Sequence, residues 1–383
     1  MFVGILFHNR ALFALESDQP ILSWSGSVKF DQAFFVQDKE TEKSMRYYNG
    51  ANLGSASLTL GVTFDPVSTV DFEVEVISSS LSPGILIYTR KINDNLLLKI
   101  GQILASNSQE SAGSTKWSSF MNRSMPVKTF TGGIGPGLSL RYFTDHLTVS
   151  AATFTSPYGK KYDSGSDKND RWSGNMRIVF RPVFSDSTIV DTGFASTFHS
   201  THQPLDFTAG DEIKTRQKTT LVSTSVAKGQ EVSTISATDY TVFTGELGIL
   251  HGPFNLEGDY IQTHVNRKDN SLVKFGGWHI QGNYFLTGET RSYSTSGASF
   301  GKPTSIRNSE LGAWQIGYRT SFINLIHKDI YGGKQLNHGL ALNWYVDKKM
   351  KLALNYILAK IWPNTQADPM TVHMIGTRIQ LVW

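Results

Sequence analysis

Between residues 104 and 134 the only bases are Lys116, Arg123 and Lys128, and the only acid is Glu110. A guanidinium and two ammonium groups on one short stretch suit an anion, which they hold through charge-assisted hydrogen bonds. Ser118, Ser119 and Ser124 could lend hydroxyls to an oxyanion, although serine is also an ordinary loop residue. Arg123 is the first candidate to touch such an anion. Its plainer role is to tie the segment to acids elsewhere. Other constellations carry less. Gly132-Gly133-Ile134-Gly135-Pro136-Gly137 lacks the Lys-Ser/Thr and the helix of a phosphate-cradling loop, so it reads as a bend into a strand. His199 and His202 flank Ser200-Thr201 on what reads as a solvated outer loop, where adventitious metal binding is the lesser reading. No Ser/His/Asp set can be assembled from spacing. Bases do not cluster with aromatics as nucleic-acid binding requires. The chain has no cysteine, which excludes disulfides, thiolate metal sites and cysteine nucleophiles.

The elements that must position these residues are strands. Charged residues make up only 18% of the 383-residue chain, below the usual quarter, while aromatics reach 12%. Such a chain is too rich in apolar surface for disorder, yet no run approaches the ~18 apolar residues of a spanning helix. Alternation is the dominant pattern. Met350, Leu352, Leu354, Tyr356 and Leu358 alternate with Lys351, Ala353 and Asn355, and the final run from Thr371 to Trp383 places Arg378 and Gln380 opposite a largely apolar face. Sixteen such runs start near Ile21, Gly54, Val70, Gly84, Leu96, Gly135, Leu147, Ser173, Thr188, Tyr240, Phe254, Phe275, Gly312, Leu336, Met350 and Thr371. Asp65-Pro66-Val67, Thr144-Asp145-His146, His251-Gly252-Pro253 and Asp347-Lys348-Lys349 are tight connections. Residues 36–52, 104–134, 156–172, 200–239 and 265–273 read as longer loops. The extended segment 288–310 breaks the rule, because it falls on the short-turn rim.

An even number of alternating strands with short turns on one rim and long loops on the other predicts an all-β, 16-stranded antiparallel transmembrane β-barrel. A sheet can cross hydrocarbon only if it closes, since every backbone N–H and C=O must find a partner inside the protein. A soluble β-propeller lacks support, for no 40–50-residue self-similarity is present. The barrel occupies residues 21–383. Residues 1–20 read as the remnant of a signal peptide or an N-terminal segment, with Arg10 following rather than preceding the apolar Phe2–Phe7.

Alternation sends Lys29, Lys99, Arg141, Arg177, Arg181, Arg319, Lys351 and Arg378 to the lumen, with Asp31, Asp71, Glu73, Glu75, Asp191, Glu246, Glu257 and Asp259. Acids and bases balance, so the wall alone gives little ion preference. Cross-strand ion pairs that stiffen it are the plainer role for each. The same phase puts Leu342 and Leu354 in lipid and Asn343 and Asn355 in water, where arginine at the two asparagines should be tolerated.

With these elements in place, the chain resembles the phosphate-selective porin O and P family of Gram-negative outer membranes. The motifs are Gly252-Pro253-Phe254 with Gly258-Asp259-Tyr260-Ile261, Tyr284-Phe285-Leu286-Thr287-Gly288-Glu289, Gly312-Ala313-Trp314, Leu342-Asn343-Trp344-Tyr345 and Asn355-Tyr356. In the N-terminal half they are Gly101-Gln102 and Phe120-Met121-Asn122-Arg123-Ser124-Met125-Pro126. The resemblance implies a homotrimeric channel with short periplasmic turns and long extracellular loops. Its third long loop, 104–134 here, would fold into the pore and put Lys116, Arg123, Lys128 and Ser124 at the constriction. It also implies contact with outer-membrane lipid and lipopolysaccharide, assembly by the barrel-assembly machinery with Trp383 as the signal, no cofactor, no catalysis, and small anionic solutes. Two departures weaken phosphate specificity: Asn122 stands where the family usually has an acid, and Gly54-Ser55-Ala56-Ser57-Leu58-Thr59 carries no channel-facing arginine pair. The expected function is passive, weakly anion-selective diffusion, with phosphate or related oxyanions among the solutes. A surface barrel whose outer loops bind host or phage partners is the alternative.

Overall fold

In the computed structural model, described over residues 20–37, 49–77, 80–82, 85–155, 172–201, 204–205, 207–209, 222–223, 235–306, 310–362 and 369–383, sixteen strands form one closed antiparallel barrel. They are β1 (Ile21–Gln37), β2 (Gly50–Asp65), β3 (Ser68–Ile77), β4 (Leu86–Asn93), β5 (Leu96–Leu104), β6 (Ile134–Phe143), β7 (Leu147–Thr155) and β8 (Trp172–Phe184). The second half comprises β9 (Thr188–Ser200), β10 (Ile235–His251), β11 (Phe254–Arg267), β12 (Leu272–Phe285), β13 (Ala313–His327), β14 (Ile330–Tyr345), β15 (Met350–Trp362) and β16 (Met370–Val382). Each strand pairs with its sequence neighbour, and β1 pairs with β16 from Ser27↔Val382 to Gln37↔Val372, so no edge is left open.

Every run that alternation predicts is a strand, although β10 and β14 begin earlier than expected, at Ile235 and Ile330. The outward set forms the lipid belt: Phe30, Leu58, Leu60, Phe72, Ile100, Leu140, Phe180, Phe194, Ile280, Leu340 and Ile379 are exposed. Aromatics mark the short-turn rim, where Trp314 and Trp344 stack at 5.2 Å and both donate their indole N–H to the Leu311 carbonyl.

Two connections differ from the sequence reading. The supposed long loop 265–273 is a short turn over 268–271: Asn266 already pairs with Leu272, Asn270 takes a positive φ of 62°, and Asp269 accepts the Ser271 N–H. Polar turn residues made it look like a loop, whereas the inward Val265 and Val273 continue the strands into a buried cluster. The exceptional segment on the short-turn rim folds as a hairpin, Arg291–Ser294 against Ser299–Pro303, that turns into the barrel. The Arg177 guanidinium on β8 donates to the carbonyls of Gly297 and Ala298, and the Thr148 hydroxyl on β7 to that of Thr295.

The lumen is not uniformly polar. Towards the long-loop end, Val242, Ile261, Val265, Val273, Phe275, Ile323, Leu325, Ile357, Ile361, Val372 and Met374 face inward and are buried against Met125, Val127 and Phe130 of the third loop.

Candidate functional site: the lumen and its inward loop

The third long loop contains two short helices, α1 (Gln109–Ala112) and α2 (Met125–Phe130). Ser108 and Ser111 cap α1 reciprocally, and Pro126 sits in the first turn of α2, where its missing N–H costs nothing. A network of wall side chains fastens the loop. Asn355 accepts the Met121 N–H at 2.7 Å, Asn343 donates to the Ser119 carbonyl at 2.8 Å, and Gln380 donates to Lys116 at 2.8 Å. Lys351 donates to the Ser118 carbonyl, Arg378 to that of Met121 and Arg319 to that of Asn122. Phe120 is buried under the Arg319 guanidinium, 4.1 Å from the ring centre. Gly339 on β14 makes room for it, since a Cβ there would lie 3.0 Å from the ring. The expectation that arginine is tolerated at Asn343 and Asn355 is therefore corrected. Both face the lumen, but both are fully buried beneath the loop they hold.

The four expected constriction residues do different things. Arg123 is buried and donates to the carbonyls of Ser111 and Gly113, pinning the loop to itself. Ser124 is fully buried; its N–H and hydroxyl both donate to Glu110, so that hydroxyl is committed. Lys128, in the last turn of α2, is half-buried. Lys116 is buried too, but it lies in the field of Glu73 and Glu75 and lines a cavity of about 430 Å³ with Trp117, Lys302, Tyr345, Lys349 and Trp383. That cavity joins the loop to the short-turn rim, where Asp347–Lys349 connect β14 to β15.

On the wall, Arg177 grips Glu246 through two hydrogen bonds of 2.9 and 3.0 Å, and Arg378 grips Asp31 at 2.6 and 2.8 Å. Arg319 reaches Glu110 at 3.3 Å. Arg181 donates to the Thr144 and Asp145 carbonyls and to the Thr148 hydroxyl, and Lys29 to Thr115. Arg141 is buried beside half-buried Lys99 on the neighbouring strand. Asp71 and Glu75 on β3 are half-buried and Glu73 is buried; Glu257 and Asp259 on β11 are buried, Glu257 accepting from Gln281. Asp191 accepts from Gln109 of α1. The loop's hydrogen bonds thus run along β1, β8, β9 and β13–β16, while half-buried charges remain on β3 and β5.

His199 is corrected from a loop to the end of β9, where it is buried, bonded to Ser173 and stacked on Tyr240 at 4.5 Å; His202 lies outside the described residues. Sequence reasoning missed Arg291, which donates to the Trp117 carbonyl at 2.7 Å and so links the hairpin to the inward loop. A base in an extended Ser/Gly/Lys-rich segment was its signal.

A closed sixteen-stranded barrel with an apolar belt outside and a charged, loop-filled lumen has the architecture of an outer-membrane porin. The chain belongs to the phosphate-selective porin O and P family, whose model matches residues 85–383. It is 25% identical over 297 residues to Porin O of Pseudomonas aeruginosa, covering 69% of this chain and 65% of that one, so it spans just under two thirds of the relative's length. Among solved structures it resembles OmpT of Vibrio cholerae (TM-score 0.60, 11% identity, 96% of this chain and 99% of the other). It is also similar to an anion-selective porin from Comamonas acidovorans (TM-score 0.59, 11% identity, 95% and 100%). At that identity these structures speak for the fold.

Proposed function

We propose that the barrel lets small hydrophilic solutes diffuse passively across the outer membrane, with a shallow preference for anions. The observation that carries this reading is the placement of Lys116 in a cavity it shares with Lys302 and Lys349 at the short-turn rim. The names of its relatives, Porin O and an anion-selective porin, agree with it. The preference is shallow because several wall bases are spent. Arg177 and Arg378 are clamped by acids, and Arg123 holds its own loop. Glu73 and Glu75 offset part of the field of Lys116. A single charge at ~4 Å contributes about 1 kcal/mol in water and more in a narrow passage, which biases traffic without trapping an ion. Residues 104–134 act as the constricting loop, and the working form is a homotrimer, as in the trimer form of OmpT.

The test is the reversal potential of purified protein in planar bilayers under a chloride salt gradient, repeated with added phosphate. Anion preference is expected, with Lys116→Glu moving the potential towards cations more than Arg123→Gln does. Cation selectivity in the unmodified protein would assign control to Asp71, Glu73 and Glu75 instead.

A further inference from the structure

Where α1 of the inward loop meets the wall, three potential metal ligands converge on the lumen side of β11 and β12. Asp259 and His279 are directly opposed across the β11–β12 ladder, and Glu110 reaches them from α1. The Glu110 Oε2 is 3.6 Å from His279 Nε2, and the Asp259 Oδ2 is 3.7 Å from His279 Nδ1. One ligand atom from each residue can be chosen so that all lie within 4.8 Å of one another. All three residues are buried, the His279 side chain completely.

The second observation is the Asp259 carboxylate. Its side chain is 1% exposed, and neither oxygen receives a hydrogen bond of ordinary geometry among the described residues; the Ser108 hydroxyl approaches without forming one. A buried carboxylate left this way is costly unless a cation meets it. Its surroundings add negative charge. Glu246 is its cross-strand partner on β10, and Glu257 lies two residues away on the same face. Of the nearby bases, Arg177 is clamped to Glu246, Arg319 engages the other oxygen of Glu110, and Arg123 donates to loop carbonyls. Among the described residues neither lysine nor arginine pairs with Asp259, whose basic neighbour is His279.

We propose that Glu110, Asp259 and His279 bind one divalent first-row transition-metal ion, with zinc the best match to an imidazole and two carboxylates. Zinc takes nitrogen at about 2.0–2.1 Å and carboxylate oxygen at about 2.0–2.2 Å, so in a tetrahedral shell its ligands stand roughly 3.3–3.6 Å apart. One ion takes one ring nitrogen, so only one of the two histidine spacings applies at a time. With Glu110 held by Ser124 and Arg319, the imidazole and the Asp259 carboxylate must turn to close the set, whose chosen atoms already lie within 4.8 Å of one another. Water completes a tetrahedral shell, as expected when a protein supplies three ligands. The ion would fasten the loop to the wall at α1, where the fastening otherwise rests on hydrogen bonds and the Arg319–Glu110 ion pair. The site stands on its own geometry and does not depend on the ion preference of the pore. Its competitor is an imidazolium lying between the two carboxylates, and binding of the metal would displace that proton.

The experiment uses the full chain folded in detergent, stripped with chelator, loaded with zinc and dialysed, with metal content read by mass spectrometry. About one zinc per chain is expected. His279→Gln and Asp259→Asn should weaken it by roughly 100-fold or more, at or beyond the upper end of what loss of an outer-shell partner costs. His251→Ala, at the exposed rim, should change nothing. Cobalt should give visible d–d absorption of a tetrahedral site in the unmodified protein and not in the two variants. X-ray absorption of the zinc-loaded, unmodified protein should show one imidazole with oxygen ligands, a readout that does not require any variant to fold. Substoichiometric zinc, retention of zinc by folded His279→Gln, or a zinc spectrum without imidazole would each overturn the site in favour of the bridging imidazolium.

Discussion

Leu354 and Asn355 are neighbours in sequence and live in different solvents. Leu354 is 45% exposed on the belt, while Asn355 has no exposed surface and accepts the Met121 N–H. Leu354→Arg should therefore cost about 2–4 kcal/mol, the penalty of arginine near the bilayer midplane, measured by denaturant unfolding in lipid vesicles. Asn355→Ala acts on the other side of the wall. It strands a buried backbone N–H, which costs about 1–3 kcal/mol, and it frees the loop at Met121. Larger or noisier single-channel conductance should accompany that loss, whereas Leu354→Arg channels that do assemble should conduct normally. The phase of these residues was legible in the sequence because the strand period is two. Their partners were not. Nothing in the spacing of Asn343 or Asn355 shows that each contacts a backbone group more than two hundred residues earlier in the chain.

Strands were legible as elements for the same reason: each is written by two solvents, lipid and lumen. Legibility fails where one solvent changes. Near the long-loop end, Ile357 and Ile361 share the face of Asn355, and Val372 and Met374 share that of Arg378, because the inward loop replaces water there. Loss of alternation in those stretches was the available signal for an apolar packing inside the barrel. The hairpin Arg291–Ser294/Ser299–Pro303 was legible only as an exception, since strands so short carry almost no period. It reaches the lumen by binding Arg177 and the Trp117 carbonyl, and Phe300 buries itself with Ile189 and Leu250. Replacing residues 291–303 by a short Gly/Ser linker should leave the barrel formed, because Arg177 keeps Glu246 and every wall pairing lies outside the hairpin. Conductance should rise, since a folded element then leaves the lumen. Unchanged conductance in bilayer recordings would show that the passage avoids the hairpin.

At the scale of the whole molecule, the barrel is one ring, and its stability in lipid depends on the seam where the first and last strands meet. In hydrocarbon an open seam would leave two rows of backbone groups without partners, each costing several kcal/mol. β1 and β16 close it, and at the short-turn rim Gly26 and Trp383 exchange N–H and C=O at 3.0 and 3.2 Å. Arg378 on β16 holds Asp31 on β1 across the seam from the lumen side, with both groups buried. Gly26 is required by space rather than by turn geometry. A Cβ there would meet the Trp383 ring and would lie 2.6 Å from the Ser57 carbonyl on β2. Gly26→Val should therefore force apart both pairings of β1 at that point. Gly50→Val is the matched control, because a Cβ at Gly50 has nothing within 4 Å. The expected result is that Gly50→Val keeps the heat-dependent gel shift of a closed barrel and Gly26→Val loses most of it. Deleting Trp383 should relieve the ring contact but not the clash with the Ser57 carbonyl, and closure should stay poor because the Gly26 backbone then also lacks its partner. Full closure of Gly26→Val would mean that the rim relaxes without the tryptophan contact and that the ladder from Ser27↔Val382 to Gln37↔Val372, with the Arg378–Asp31 pair, holds the seam.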